Sequence, residues 1–345
     1  MKYNSFDELE KAWSRPLAED KYEEALTILE KGAETLPKTE LKKHLFTIMD
    51  YKCWFFYECK KYEQVIKILT DTIENGFSCP LYAYKSVFKS QNEETRYIEL
   101  KEKNDLLRRE VQKRLKFEYI VYVPKGYDKE KKYPLVFNFH GDGDNTEYHK
   151  KYWKPDWLIS KGFIVVYVQS SQLRYHNSYV WIKKEIHLKE DDGENGSSKF
   201  RGGKSETYSS LYEEFKHCYN QILNEYSVDE KKIVIGGFSG GAMAVIDIAI
   251  ADIIPIKGAI ALCSLKPKTF TQENIKMLLR KSIKLVFMEG EKDIQVKDVE
   301  EMMEDCKNIG IPYEYYINEG IGHWYPEDLD DKLEKALSFI FEQSI

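Results

Sequence analysis

The chain has 345 residues, 32% of them charged and 42% hydrophobic, enough to bury a large core and to hold two domains. A net charge of −6 with no long basic block argues against a nucleic-acid partner. No run of about 18 apolar residues is present to span a bilayer, residues 1–8 lack the apolar core of a secretory signal, and six cysteines without disulfide or metal spacing fit reduced thiols in a cytoplasmic protein.

Residues 1–112 read as helical throughout. The stretch Lys21-Tyr22-Glu23-Glu24-Ala25-Leu26-Thr27-Ile28-Leu29 returns about 40 positions later as Lys61-Tyr62-Glu63-Gln64-Val65-Ile66-Lys67-Ile68-Leu69. Tyr22, Ala25, Leu26 and Leu29 share one helical face, as do Tyr62, Val65, Ile66 and Leu69. A further helical stretch, residues 40–58, lies between them, and residues 92–113 form a charged helix joining the two halves. This alternation resembles tetratricopeptide helical hairpins, although the period exceeds the usual length. Two units are too few for a free-standing solenoid, so the half reads either as a cap on the second domain or as a groove for a protein partner.

From residue 113 to 345 the period turns toward β. Apolar runs fall at residues 119–123, 135–139, 163–168, 233–235, 256–262, 285–288 and 313–317. Helical patterns occupy 206–226, 240–251, 272–280, 296–307 and 326–341 between and after them. Such alternation predicts an α/β fold with a doubly wound, mostly parallel sheet behind an all-α amino-terminal domain. Residues 170–205 are polar and read as a long loop near the site.

The run Ile233-Val234-Ile235-Gly236-Gly237-Phe238-Ser239-Gly240-Gly241-Ala242-Met243-Ala244 carries the chemistry. A β-branched run stops at glycines, a serine follows, and a helix-forming stretch begins. That is the G-x-S-x-G pattern of a nucleophile elbow. By itself the pattern is weak, since chance gives it in about one chain in ten of this length. Its partners decide. A serine hydroxyl needs a base, and the base needs an orienting group. In open α/β sheets such groups gather at the carboxyl ends of strands.

Among the seven histidines, His323 alone follows the last apolar run, in Glu319-Gly320-Ile321-Gly322-His323-Trp324. It is the predicted base. The orienting acid is Asp293, after the strand pattern Lys284-Leu285-Val286-Phe287-Met288 and a glycine turn, with Glu291 in reserve. The predicted oxyanion donors are the backbone N–H groups of Gly240 and Asp142, the latter in Phe139-His140-Gly141-Asp142-Gly143-Asp144. His140 reads as a brace for that loop. Tyr179, Trp181 and Trp324 are candidates for a substrate pocket, or equally for a local core.

The order Ser239, Asp293, His323 is that of α/β-hydrolases. Residues 117–343 resemble the serine esterases of that fold, and above all the phospholipase/carboxylesterase group that includes acyl-protein thioesterases. Gly237-Phe238-Ser239-Gly240-Gly241-Ala242-Met243-Ala244 is similar to that group's G-F-S-Q-G-G-A-M-A, less the glutamine. His140-Gly141-Asp142-Gly143-Asp144 is similar to its H-G-x-G-D, with Asp142 where an apolar residue is usual. Residues 119–128 resemble instead the putative-esterase group, which includes feruloyl esterases. The resemblance implies hydrolysis of carboxylic esters or thioesters of a small-molecule or acylated substrate, with no cofactor and no metal. A peptidase or polysaccharide deacylase would use the same three residues. A catalytically silent scaffold working through its helical repeats is the reading from another class.

Overall fold

The computed structural model describes residues 2–18, 20–182 and 209–342. Two compact units divide the chain, Met1–Arg114 and Leu115–Ile345.

The first unit contains α1 (Phe6–Ala18), α2 (Tyr22–Ala33), α3 (Lys38–Lys43), α4 (Leu45–Glu58), α5 (Tyr62–Glu74) and α6 (Gln91–Gln112). Contacts run from α1 to α2, from α2 to α4, and from α4 to α5. The two similar stretches are α2 and α5, and their apolar faces supply Ala25, Leu26, Leu29, Val65, Ile66 and Leu69 to one core with Phe55 of α4. Each fully buried leucine stabilises that core by about 2 kcal/mol. The single helix expected over 40–58 is broken at His44, whose backbone leaves the helical region and whose ring stacks on Phe6 at 4.4 Å. Ser90 starts α6 with a reciprocal cap, accepting the Glu93 N–H while the Glu93 carboxylate accepts the Ser90 N–H.

The second unit is built on a seven-stranded sheet in the order β1-β3-β2-β6-β7-β8-β9. Its strands are β1 (Glu118–Tyr122), β2 (Tyr133–Phe139), β3 (Ile164–Gln169), β6 (Val228–Phe238), β7 (Gly258–Leu262), β8 (Lys284–Gly290) and β9 (Tyr313–Asn318). Only β1 runs antiparallel, along β3 at one edge; every other pairing is parallel. Side chains alternate between two cores. Leu135, Phe137 and Phe139 face α9 (Ser209–Glu225), α10 (Gly240–Ala251), α11 (Gln272–Arg280) and α12 (Val296–Ile309), whereas Val136 faces α13 (Leu329–Phe341). With both faces covered, the inner strands are apolar at nearly every position.

Two sequence expectations change here. Strand β6 starts at Val228, five residues before the apolar run, because Asp229-Glu230-Lys231-Lys232 conceals its first turn of pleat. Within the stretch read as a loop, β4 (Gln172–Tyr175) and β5 (Ser178–Val180) form an antiparallel ribbon. Asn177 at its tip has φ +54°, a left-handed geometry that asparagine tolerates better than most residues. Residues 183–205 of that stretch, and 206–208 of the helical pattern after it, lie outside the described residues. His149 sits in the short helix α7 (Thr146–Tyr152), which Asn145 caps by accepting the Tyr148 N–H at 2.9 Å; α8 (Asp156–Ser160) follows. Among the described residues no helix is long and apolar enough to cross a membrane.

Candidate active site

Strand β6 ends at Phe238, and Ser239 turns the chain into α10 with φ +54° and ψ −118°. The strained geometry is held by the Ser239 N–H, which donates to Leu262 O of β7 at 2.8 Å. Helix α10 then begins hard against the end of β2. A Cβ on Gly241 would lie 2.5 Å from Phe139 O and 2.3 Å from His140 O, so only glycine permits this approach.

Asp293 follows β8 by a turn in which its N–H donates to Gly290 O at 3.0 Å. Its Oδ1 accepts the Gln295 N–H at 3.1 Å and its Oδ2 lies 2.6 Å from His323 Nδ1. His323 Nε2 lies 2.8 Å from Ser239 Oγ. A neutral ring with its proton on Nδ1 satisfies both contacts: it donates to the carboxylate and accepts from the hydroxyl. Burial opposes ionisation of Asp293, yet the hydrogen bonds with His323 and Glu289 outweigh it and hold the carboxyl below its ordinary range. The loops carrying the acid and the base touch directly. A Cβ on Gly290 would meet Gly322 O at 2.0 Å, and Lys292 N–H donates to Ile321 O at 2.9 Å. Glu291, the reserve acid, accepts the Gly320 N–H at 2.8 Å and so ties the same two loops together. Phe238 packs against His323 at 5.0 Å and against Tyr325 at 4.2 Å, limiting where the imidazole can swing.

Gly240 opens α10, so its amide is one of the first-turn donors that no carbonyl of the helix can take. The side chain of Asp142 packs on it closely enough that a Cβ on Gly240 would lie 2.2 Å from Asp142 Cγ. Oδ1 of Asp142 accepts the Trp181 N–H at 3.0 Å, which turns that carboxylate toward a donor. Asp144 is pushed up to about 7 by burial and then by Asp142, against the pull of His323 and Arg174. His140 is the brace expected: its Nδ1 donates to Gly141 O at 2.8 Å, its Nε2 pairs with Gln169 Nε2 at 3.0 Å, and burial pushes it down to about 4. His149 is likewise buried, contacts Tyr325 Oη through Nδ1 at 2.8 Å and is pushed down to about 3. Neither ring is protonated near neutral pH.

One candidate pocket residue is corrected. Trp181 is 1% exposed; its indole N–H donates to His140 O at 2.6 Å and its ring packs on Phe139 and His140. It packs in the local core, the second of the two readings its sequence position allowed. Tyr179 is partly buried and exchanges backbone hydrogen bonds with Gly143 and Asp144, tying β5 to the glycine loop. Trp324 is 42% exposed and meets Tyr152 edge-on at 5.0 Å. Truncation to alanine should separate the two tryptophans. Trp181→Ala should lose about 3–5 kcal/mol of stability in urea titration, whereas Trp324→Ala should stay within about 0.5 kcal/mol of the parent.

Among the described residues, ligand atoms of Cys263, Asp293 and His323 lie within 4.8 Å of one another, a grouping that chain spacing alone could not reveal. The 2.6 Å between Nδ1 and Oδ2 is a hydrogen-bond length. Two ligands of one tetrahedral metal ion would stand about 3.3 Å apart. The cluster fits a proton better than a cation.

Sheet order, elbow turn and helices on both faces give the second unit the α/β-hydrolase fold. Residues 204–341 match the family model of the phospholipase/carboxylesterase family. No curated protein matches the sequence. An uncharacterized protein from Bacillus cereus ATCC 10987 is similar over 98% of this chain and 99% of its own, with 20% identity and a TM-score of 0.51, so the fold of both units recurs there. Esterase PE8 covers 66% of this chain and 99% of its own at 17% identity and a TM-score of 0.48. The Bacillus cereus carboxylesterase covers 68% and 99% at 15% identity and a TM-score of 0.48.

Proposed function

We propose that the protein hydrolyses carboxylic esters or thioesters through an acyl-enzyme, with Ser239 as nucleophile, His323 as base and Asp293 as its orienting acid. The observation that carries this reading is the 2.8 Å contact of Ser239 Oγ with His323 Nε2, backed by the 2.6 Å contact of Nδ1 with Asp293. As Oγ bonds to the acyl carbon, its proton passes to Nε2 and the carbonyl oxygen takes the negative charge. The N–H groups of Gly240 and Asp142 are the proposed donors to that oxygen, and each such donor is worth about 3 kcal/mol of barrier. Nε2 then gives its proton to the departing alkoxide or thiolate. Water attacks the acyl-enzyme, Nε2 removes its proton, and the carboxylic acid leaves as Ser239 regains its hydrogen.

Trp324 and Tyr179 are proposed to line the acyl or leaving-group side. All six cysteines are unbridged, which supports a reducing compartment such as the cytoplasm. Incubation with a fluorophosphonate probe tests the reading. The expected result is one phosphonate adduct on the peptide containing Ser239, found by mass spectrometry. Absence of labelling, or labelling of another residue, would overturn it.

A further inference from the structure

Strand β8 delivers a second carboxyl to the site, and the reaction just described has no use for it. Glu289 is the last residue of β8 before Gly290, and its side chain is wholly buried. Its Oε1 accepts the N–H of Gly290 at 3.1 Å. As an anion it would leave Oε2 without an N–H donor among the described residues, in a buried place. Asp293, itself only 7% exposed, is its hydrogen-bonding neighbour. Two carboxylates cannot bond without a proton between them, and two adjoining buried acids keep one. The donors decide which. Asp293 receives an N–H bond on each oxygen, from Gln295 and from His323, whereas Glu289 receives one N–H bond, from Gly290, and the weak one of the Cys263 thiol.

We propose that Glu289 is a positioning residue, a neutral carboxylic acid that donates its hydrogen bond to Asp293 and thereby holds that carboxylate facing His323. The proposal deepens the serine-hydrolase reading and rests on it. The relay then runs from Ser239 through His323 and Asp293 to Glu289. The titratable groups facing Glu289 are Asp293 from its own loop, Cys263 after β7 and Tyr315 of β9. None is a lysine or arginine, so nothing among them stabilises a second negative charge. Burial first, and then the bond to Asp293 and its charge, push Glu289 up to about 8. Burial likewise pushes up the Cys263 thiol, which stays neutral and is no competitor for that charge.

The consequence is an alkaline limb. Above about pH 8 Glu289 loses its proton, the bond to Asp293 is replaced by like-charge repulsion, and the imidazole loses its fixed partner. The test compares kcat profiles from pH 6 to 10 on a short-chain nitrophenyl ester for the parent, Glu289→Gln and Glu289→Leu. The parent's kcat should fall above about pH 8. Glu289→Gln retains an N–H donor that does not titrate, so it should keep neutral-pH activity within about threefold and lose the limb. Glu289→Leu removes the donor and should lose about 10- to 100-fold in kcat with KM within about twofold. A limb that persists unchanged in Glu289→Gln, or full kcat in Glu289→Leu, would overturn the proposal.

Difference infrared spectroscopy of parent against Glu289→Gln supplies a readout independent of turnover. A protonated-carboxyl C=O band should be present in the parent at pH 6.5 and missing from the variant. Its absence from the parent would overturn the proposal even if the leucine variant failed to fold. Because Ser239 labelling does not depend on Glu289→Gln, failure of the hydrolase reading and failure of this one are told apart.

Discussion

Replacing Ser239 by alanine should lower kcat/KM for a short-chain ester by about 10⁴-fold or more while the protein stays folded. Alanine accepts the same backbone geometry no better and no worse than serine, and the Ser239 N–H bond to Leu262 O is untouched. What disappears is the only hydroxyl within hydrogen-bonding distance of His323 Nε2 among the described residues. Residual turnover would come from the Gly240 and Asp142 amides polarising a bound ester toward water, a contribution that survives loss of the nucleophile. Circular dichroism and the urea midpoint should match the parent's. Activity above about one tenth of the parent's in purified, folded variant would exclude Ser239 as nucleophile.

Asp293→Asn should cost about 10³- to 10⁴-fold in kcat, with KM little altered. The Gln295 N–H donates to Oδ1 at 3.1 Å, so the amide oxygen of asparagine takes that place and its NH2 group is turned toward His323 Nδ1. A donor there drives the ring proton to Nε2, and Nε2 can then no longer accept the Ser239 hydrogen. The imidazolium formed during attack also loses its counter-charge. Geometry is kept and chemistry is lost, which makes the substitution more informative than truncation. The measurement is steady-state kinetics at pH 7.5, and a kcat within tenfold of the parent would refute the role given to Asp293.

Much of the second unit is legible because buried parallel strands are uninterrupted apolar runs, as in Ile164–Gln169 and Gly258–Leu262. Where a strand leaves the core the signal fades: Asp229, Glu230, Lys231 and Lys232 hide the start of β6. Ser239, Asp293 and His323 can be chosen from their positions after strand patterns, and these side chains do lie within hydrogen-bonding distance. Trp181 cannot be judged that way. Its burial depends on the β4–β5 ribbon and on a carbonyl 41 positions earlier, neither of which has a local signature. Glu289 is hidden for a different reason. A carboxylate between an apolar strand and a glycine reads as the first polar residue of a turn, and only its burial beside Asp293 in the folded chain shows that it is enclosed. The helix break at His44 has the same character, since it follows from a ring stacking on Phe6 far back along the chain.

The left-handed twist at residue 239 also sets a ceiling on ruggedness. A side chain held at φ +54° costs the fold on the order of 1 kcal/mol. Glycine would carry no such penalty there, and Ser239→Gly should melt about 2–4 °C higher than the parent while being inert toward esters. Selection for heat resistance alone would therefore favour discarding the reactive alcohol. Under the proposed mechanism, serine in so unfavourable a conformation is a trade of durability for turnover.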